Sequence, residues 1–319
     1  MIDHITLTNF TVFIGKNGTG KTHILKCLAA TMYAYGNNKA NFDMEDVLMR
    51  YFKPDAVGNL IKKGTNEAEV SISYNSKTTS YVLNRTCIKM ISQPISREET
   101  DIHTIYIPPR DILSVFEGFL GLIEKREISF DETYISLAKA LSVPPLRKSI
   151  PNPLQSAMSI LEQELRFEVV HKHGRFYIKD NTGMTEAHLV AEGMRKLASV
   201  MYLLSNGELN KDSILFWDEP ESNLNPILIK ATAMFILELG RCGVQVFIAT
   251  HDYLLSRLLS LYAEYREENH TPDTKFFCLR KDNDSILVEE GYTMIEIGHD
   301  PILHEHAAFY DLEQSFIWK

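Results

Sequence analysis

The spacing of apolar residues changes period repeatedly along this 319-residue chain. Ile5–Phe10 alternates polar with apolar and reads as a first strand, and Thr11–Ile14 is a second apolar stretch running into a glycine-rich loop. Behind the loop, Ile24, Leu25, Leu28 and Met32 recur at helical spacing. Glu67–Tyr74 and Thr79–Asn84 alternate around a polar turn at Asn75–Lys77, which predicts a hairpin. Thr104–Ile107 is a short strand closed by Pro108 and Pro109. From Ile112 to about Leu165 the period turns helical but is broken by Gly118, Gly121, Pro144, Pro145, Pro151 and Pro153. A second hairpin is predicted at Phe167–Val170 and Phe176–Ile178, turned at His173-Gly174. Then follow a helix (Gly193–Leu204), a strand (Ser213–Trp217), a helix (Pro226–Leu239) and a strand (Val244–Ala249). Such alternation predicts an α/β fold with a mostly parallel sheet flanked by helices, plus an antiparallel β subdomain.

Composition narrows the class. Apolar residues make up 45% and charged residues 24%, the balance of a globular protein, and no apolar run approaches the length of a membrane helix. The N-terminus reads as a strand and not as a signal peptide. Cys27, Cys87, Cys242 and Cys278 are scattered without finger-like spacing, so they read as free thiols in a reducing cytoplasm. A net charge of −9 excludes a generally basic nucleic-acid coat but not a local basic groove.

Two segments carry chemistry. Gly15, Lys16, Asn17, Gly18, Thr19, Gly20, Lys21 and Thr22 fit the pattern GxxxxGK[ST] between an apolar strand and an amphipathic helix. Glycines let successive backbone N–H groups turn inward around phosphate oxygens, and the helix N-terminus adds its positive dipole end. Lys21 would reach the β- and γ-phosphates, and the Thr22 hydroxyl would ligate Mg²⁺. Farther on, the apolar run Ser213–Trp217 ends in Asp218 and Glu219. There Asp218 would hold Mg²⁺ and Glu219 would polarise the attacking water, which points to hydrolysis. Alone, this pair reads equally as a solvated acidic turn; with the phosphate loop upstream it reads as a nucleotide site. His251, just past Val244–Ala249, is placed to reach a γ-phosphate as a donor. Glu192 and Gly193 open a helix and offer backbone donors to a phosphate, though a simple capping turn explains them as well.

Taken together, GKNGTGKT (15–22), AEGMRK (191–196), FWDEPESNLNP (216–226) and FIATHD (247–252) resemble the ABC-type ATPases, in that family's order. The nearest resemblance is to stand-alone bacterial AAA-type ATPases of the OLD/SMC-like branch, as found in antiphage defence systems; IYIPPRDIL (105–113) and HDPI (299–302) add to it. The resemblance implies ATP and Mg²⁺ as cofactors and a site shared between two protomers. Glu192 and Gly193 of one would cap the nucleotide on the other, and Ser222, Asn223 and Leu224 would form the loop that communicates across the interface. The chain departs from that pattern at three points. Glu192 stands where the signature serine is expected, the entry to the phosphate loop is short, and no glutamine marks the Q-loop. Gln93 comes too early for that loop, Arg110 or Asp111 stands nearer its place, and Phe10 is the candidate to stack on adenine.

These readings combine into one ATPase domain over residues 1–319 with a compact helical insertion at 111–165, the surface for a partner or a lid. Its prolines and glycines exclude a long coiled coil. His299, His304 and His306 suggest a metal, but Asp300-Pro301 with Ile302, Leu303, Ala307 and Phe309 fits a closing helix. The expected function is Mg²⁺-dependent ATP binding and hydrolysis. It drives formation of a homodimer or higher homo-oligomer that regulates a separate effector protein, a nuclease or toxin, in antiphage defence. The alternative is an ATP-gated DNA-binding clamp in repair or recombination, for which Arg147-Lys148, Lys172–Arg175 and Arg195-Lys196 are the basic features.

Overall fold

The computed structural model describes residues 5–36, 43–92, 103–125, 129–147, 150–265, 272–283 and 285–318. Gln93 and Lys148 lie outside them. In chain order the elements begin with β1 (Phe10–Ile14), α1 (Lys21–Gly36), α2 (Met44–Phe52), β2 (Glu67–Tyr74), β3 (Lys77–Asn84), β4 (Ile88–Ser92) and β5 (His103–Ile107). The middle of the chain forms α3 (Phe119–Lys125), α4 (Glu132–Ser142), α5 (Asn152–Leu165), β6 (Glu168–Lys172), β7 (Arg175–Asp180) and β8 (Gly183–Glu186). The remainder is α6 (Glu192–Asn206), β9 (Ser213–Asp218), α7 (Pro226–Arg241), β10 (Gln245–Thr250), α8 (Tyr253–Glu264), β11 (Thr274–Asp282), β12 (Ser285–Gly291) and α9 (Pro301–Ile317).

The main sheet has six strands in the order β12-β11-β1-β10-β9-β5. Every neighbouring pair is parallel except β11 and β12. Because successive side chains alternate faces, each strand feeds two cores. Val12, Ile14, Ile105, Ile107, Leu215, Trp217 and Ile248 join one hydrophobic cluster with α6 and α7. Phe13, Tyr106, Phe216, Phe247 and Phe277 join the other with α1 and α2. Both faces being covered explains why the β1, β9 and β10 sequences are continuous apolar runs rather than alternating ones.

Two three-stranded antiparallel sheets stand apart from the main one, β2-β3-β4 and β6-β7-β8. The β2–β3 hairpin turns at Asn75 and Ser76, both at positive φ, and β6–β7 turns at His173 and Gly174, also at positive φ. That backbone matches the twist of the paired strands. The third strand of each sheet lies beyond the predicted hairpin.

Several expectations change. Residues 5–9 are not a strand: the Thr11 hydroxyl bonds the Thr8 backbone twice, accepting from Thr8 N at 3.2 Å and donating to Thr8 O at 3.0 Å, and pairing with β10 and β11 starts at Phe10. Phe10 is fully buried in the core, so it cannot stack on a base. Within 111–165, α3 packs against α4, α4 against β5 and α6, and α5 against α7 and α6. The closing helix is present, with Asp300 as its cap (Oδ1 accepting from Ile302 N at 2.9 Å), but it closes little. None of its residues is buried, and Phe309 is 66% exposed.

Candidate functional site

The parallel strands β1, β5, β9 and β10 all end at one edge of the sheet. Ile14 is level with Thr250, and Ala249 with Asp218. The phosphate loop, Asp218 and His251 therefore converge at the carboxyl edge, where open α/β sheets bind ligands. The loop bends through positive φ at Gly15, Gly18 and Gly20. At Gly15 a Cβ would sit 2.4 Å from the Leu279 carbonyl oxygen, so close packing on β11 also demands glycine there. At Gly18 and Gly20 a Cβ would meet nothing within 4 Å. These two glycines face the open space a phosphate chain needs, and their requirement is conformational.

Lys21, buried and first in α1, donates to the carbonyls of Gly15 (2.6 Å) and Lys16 (3.0 Å). Burial lowers its pKa, against an opposing pull from Glu219, Asp218 and Glu221. One residue on, the Thr22 hydroxyl donates to Asp218 Oδ1 at 3.2 Å. Asp218 is 1% exposed, and its other oxygen accepts from the Tyr106 hydroxyl at 3.3 Å. Burial, with Glu219 beside it, raises the Asp218 pKa. Tyr106 was not predicted as part of the site. The pleat explains it, because Tyr106 pairs with Phe216 and both point to the α1 face, as does Asp218 two residues later.

Glu219 sits at φ 49°, in the left-handed region unusual for a non-glycine residue. Its N–H donates to Ala249 O at 2.8 Å, which turns the chain out of β9 and leaves the carboxylate at the mouth of the site. The Glu219 carboxylate is 3.2 Å from His251 Nδ1. Glu221 lies behind this pair, buried, accepting from the Thr250 hydroxyl at 2.7 Å, with its second oxygen unpartnered. Burial raises its pKa. Neither Glu221 nor Thr250 was a predicted site residue.

The structure thus brings Lys21, Thr22, Asp218, Glu219 and His251 together. Glu192 and Gly193 lie elsewhere, at the start of α6, where no side chain caps the helix. Gly193 packs on the turn after Glu219: a Cβ would lie 2.3 Å from Asn223 O and 2.6 Å from a Leu224 methyl. Close packing alone requires that glycine. Asp111 is held by Arg195 Nε (2.8 Å) and by the Ser114 hydroxyl (2.8 Å), whereas Arg110 is exposed. His299 pairs with Glu289 (2.8 Å) and His306 stacks on Tyr253. Among the described residues no group of three or more His, Cys, Asp or Glu is placed to hold a metal.

A divalent cation fits the cluster in a different way. Thr22 and Asp218 present a hydroxyl and a raised-pKa carboxylate to each other, a hard-oxygen pair suited to Mg²⁺ when phosphate oxygens complete the shell.

Residues 106–257 match the family described as "AAA domain, putative AbiEii toxin, Type IV TA system", and residues 4–139 match one described as "AAA domain". No curated protein matches the sequence. Among solved structures, the SMC head domain from Thermotoga maritima is 14% identical, covering 90% of this chain and 92% of that one at a TM-score of 0.43. The Smc head domain with an extended coiled coil derived from Pyrococcus furiosus is 11% identical, covering 93% of each chain at 0.45. The cbiO1 protein from Clostridium perfringens, part of an ABC transporter complex, is 13% identical, covering 91% of this chain and 80% of that one at 0.36. At such values the assignment rests on the strand order and the motifs rather than on the overlays. Each domain match spans less than half of the chain and likens that segment to an AAA domain, while the strand order and the phosphate loop give a P-loop type α/β fold.

Proposed function

We propose that this chain binds ATP with Mg²⁺ and hydrolyses it, and that ATP binding drives homodimerisation that controls a separate effector. The observation that carries the reading is the joining of Thr22 to Asp218 beside an outward-turned Glu219. Loop N–H groups and Lys21 would bind the β- and γ-phosphates, Lys21 exchanging its bonds to Gly15 and Lys16 for phosphate oxygens. Thr22 and Asp218 would hold Mg²⁺, which supplies charge neutralisation at the phosphates when bound. Glu219 would orient a water and accept its proton as the water oxygen bonds to the γ-phosphorus. The bond to the bridging oxygen breaks, leaving ADP and phosphate. His251 Nδ1 lies toward Glu219, which leaves Nε2 as the atom to donate to the γ-phosphate.

The signature turn of one copy would complete the site of another, through the uncapped first turn of α6 and its positive dipole end. An effector that is a toxin or nuclease in a defence module accords with the toxin named in the description of one matched family. For the DNA clamp, three of the basic side chains have partners or burial within the chain. Arg195 pairs with Asp111, Lys196 is buried, and Arg175 pairs with Glu117 at 2.6 Å.

The test is a pair of variants. Glu219→Gln should bind ATP and remain in an ATP-bound dimer, seen as a doubled mass by light scattering, with turnover lost. Lys21→Ala should show no binding heat with ATP. Turnover by Glu219→Gln at the wild-type rate would sink the mechanism, and turnover that rises with added DNA would favour the clamp.

A further inference from the structure

Lys196 is a lysine where the fold offers no water. It lies one turn into α6, is 2% exposed, and no carboxylate oxygen lies within ion-pair distance of its ammonium among the described residues. Nζ instead donates to the backbone carbonyl of Glu219 at 2.6 Å and to the Ser222 hydroxyl. Burial lowers its pKa to about 8, against the raising influence of Glu221, Glu219, Asp218 and Glu192. An apolar side chain of similar length would fill the same space without that desolvation. The packing of α6 therefore does not account for an ammonium at this position.

The two acceptors show what the ammonium does. The Glu219 peptide is gripped on both sides: its N–H donates to Ala249 O on β10, and its carbonyl accepts from Lys196 on α6 and from Ser222 N at 3.1 Å. That grip holds a left-handed residue, a conformation the chain does not keep unaided. Ser222 in turn donates to Pro109 O at 3.1 Å, at the end of β5, and Asn223 and Leu224 press on Gly193. Helix α6 thus touches the 219–224 segment twice, through Gly193 at its first turn and through Lys196 one turn later. Any displacement of the first turn reaches the Glu219 peptide through an ammonium a few ångströms away.

We infer that Lys196 is a positioning residue for ATP hydrolysis: it ties the orientation of Glu219 to the placement of α6, so that the helix whose N-terminus faces outward governs whether the water-activating carboxylate is aligned. The inference rests on the reading of Glu219 given above. It differs from a structural role because removing the ammonium leaves each of its two partners with another hydrogen bond. The Glu219 carbonyl keeps Ser222 N, and the Ser222 hydroxyl keeps Pro109 O.

Two measurements on Lys196→Met test it. In steady-state ATP turnover the variant should lose about 10- to 100-fold in kcat, the cost of a small misplacement of a catalytic group, with KM within a few-fold of wild type. In the Glu219→Gln background, single-turnover rates should change little on adding Lys196→Met, because the lysine acts through Glu219. Hydrogen exchange in nucleotide-free protein reads the positioning apart from turnover. Faster exchange is expected in peptides over 216–224, with the melting temperature unchanged or raised. A kcat within twofold of wild type, or an equal further loss in the Glu219→Gln background, overturns the coupling. Loss of melting temperature together with a raised KM assigns Lys196 a structural role and overturns it too. A wild-type chain that binds ATP without any turnover refutes the hydrolysis reading itself, and unchanged exchange over 216–224 in Lys196→Met refutes the grip.

Discussion

The side chains of the site owe their states to burial more than to their neighbours. Glu221 is 6% exposed with one oxygen unpartnered, and desolvation raises its pKa. An acid whose folded pKa is raised destabilises the fold wherever it is ionised there, so the penalty is complete above the folded pKa and fades as pH falls toward the unfolded value. Glu221→Gln should keep the bond from Thr250 and lose that charge. Its melting temperature should exceed wild type at pH 8, and the difference should shrink on acidification. A difference that grows on acidification would reverse the sign of this argument. Gly193 makes the opposite case, in which one added methyl is the problem. Backbone and not a flexible side chain stands 2.3 Å from its would-be Cβ. Gly193→Ala should cost on the order of 1–3 kcal/mol in urea unfolding, since overpacking must move either α6 or the 222–224 turn. Turnover should fall with it, because that turn follows Glu219.

At the scale of elements, the helices set the site by where they start. Helix α1 begins at Lys21, α7 at Pro226 behind the Asn225 cap, and α8 behind Asp252, whose carboxylate accepts from Leu255 N at 2.7 Å. Asp131 serves two elements at once. It caps α4 through Thr133 N (3.0 Å) and pairs with Lys26 on α1 at 2.6 Å, both partners being mostly buried. Asp131→Ala should cost about 1 kcal/mol for the cap alone. The Lys26 ammonium left without its partner should add to that, so global unfolding and hydrogen exchange in α4 should both register the change. If only local exchange in α4 responds, the α1–α4 tie contributes nothing to global stability. Two helix starts were legible on sequence grounds, at Asn225-Pro226 and Asp300-Pro301, whereas the Asp131 and Asp252 caps were not. The β11–β12 hairpin and helices α2 and α8 were not assigned from the sequence. Their apolar runs are short, and nothing local says that β11 pairs with β1 from the far end of the chain.

At the scale of the whole molecule, the sheet brings residues almost two hundred positions apart, Thr22 and Asp218, into contact. That contact joins a hydroxyl to a carboxylate oxygen, and the use of this pair is expected to depend on a divalent cation. Chelation by EDTA should abolish turnover and reverse the ATP-dependent change in mass, while leaving the nucleotide-free fold unaltered by circular dichroism. Loss of the fold on chelation would mean a structural metal instead. No helix among the described residues is long and apolar enough to cross a membrane, so the exposed aromatic residues of α9 are not a span. What the sequence determined alone was whatever depends on neighbours along the chain. The phosphate loop needs glycine at φ values that other residues resist, an apolar strand runs into Asp218, and Asn225 and Asp300 each precede a proline at a helix start. Only the tertiary structure decided which distant groups meet. Phe10 went to the core and not to a base, Tyr106 came to Asp218 across a strand pairing, and Gly193 was committed to Asn223. Lys196, one more charge on a helix in the linear pattern, closed on the Glu219 peptide. The reason is physical. Backbone conformation is set by sterics within a few residues, whereas burial, strand register and the pairing of buried polar groups depend on the packing of the whole sheet.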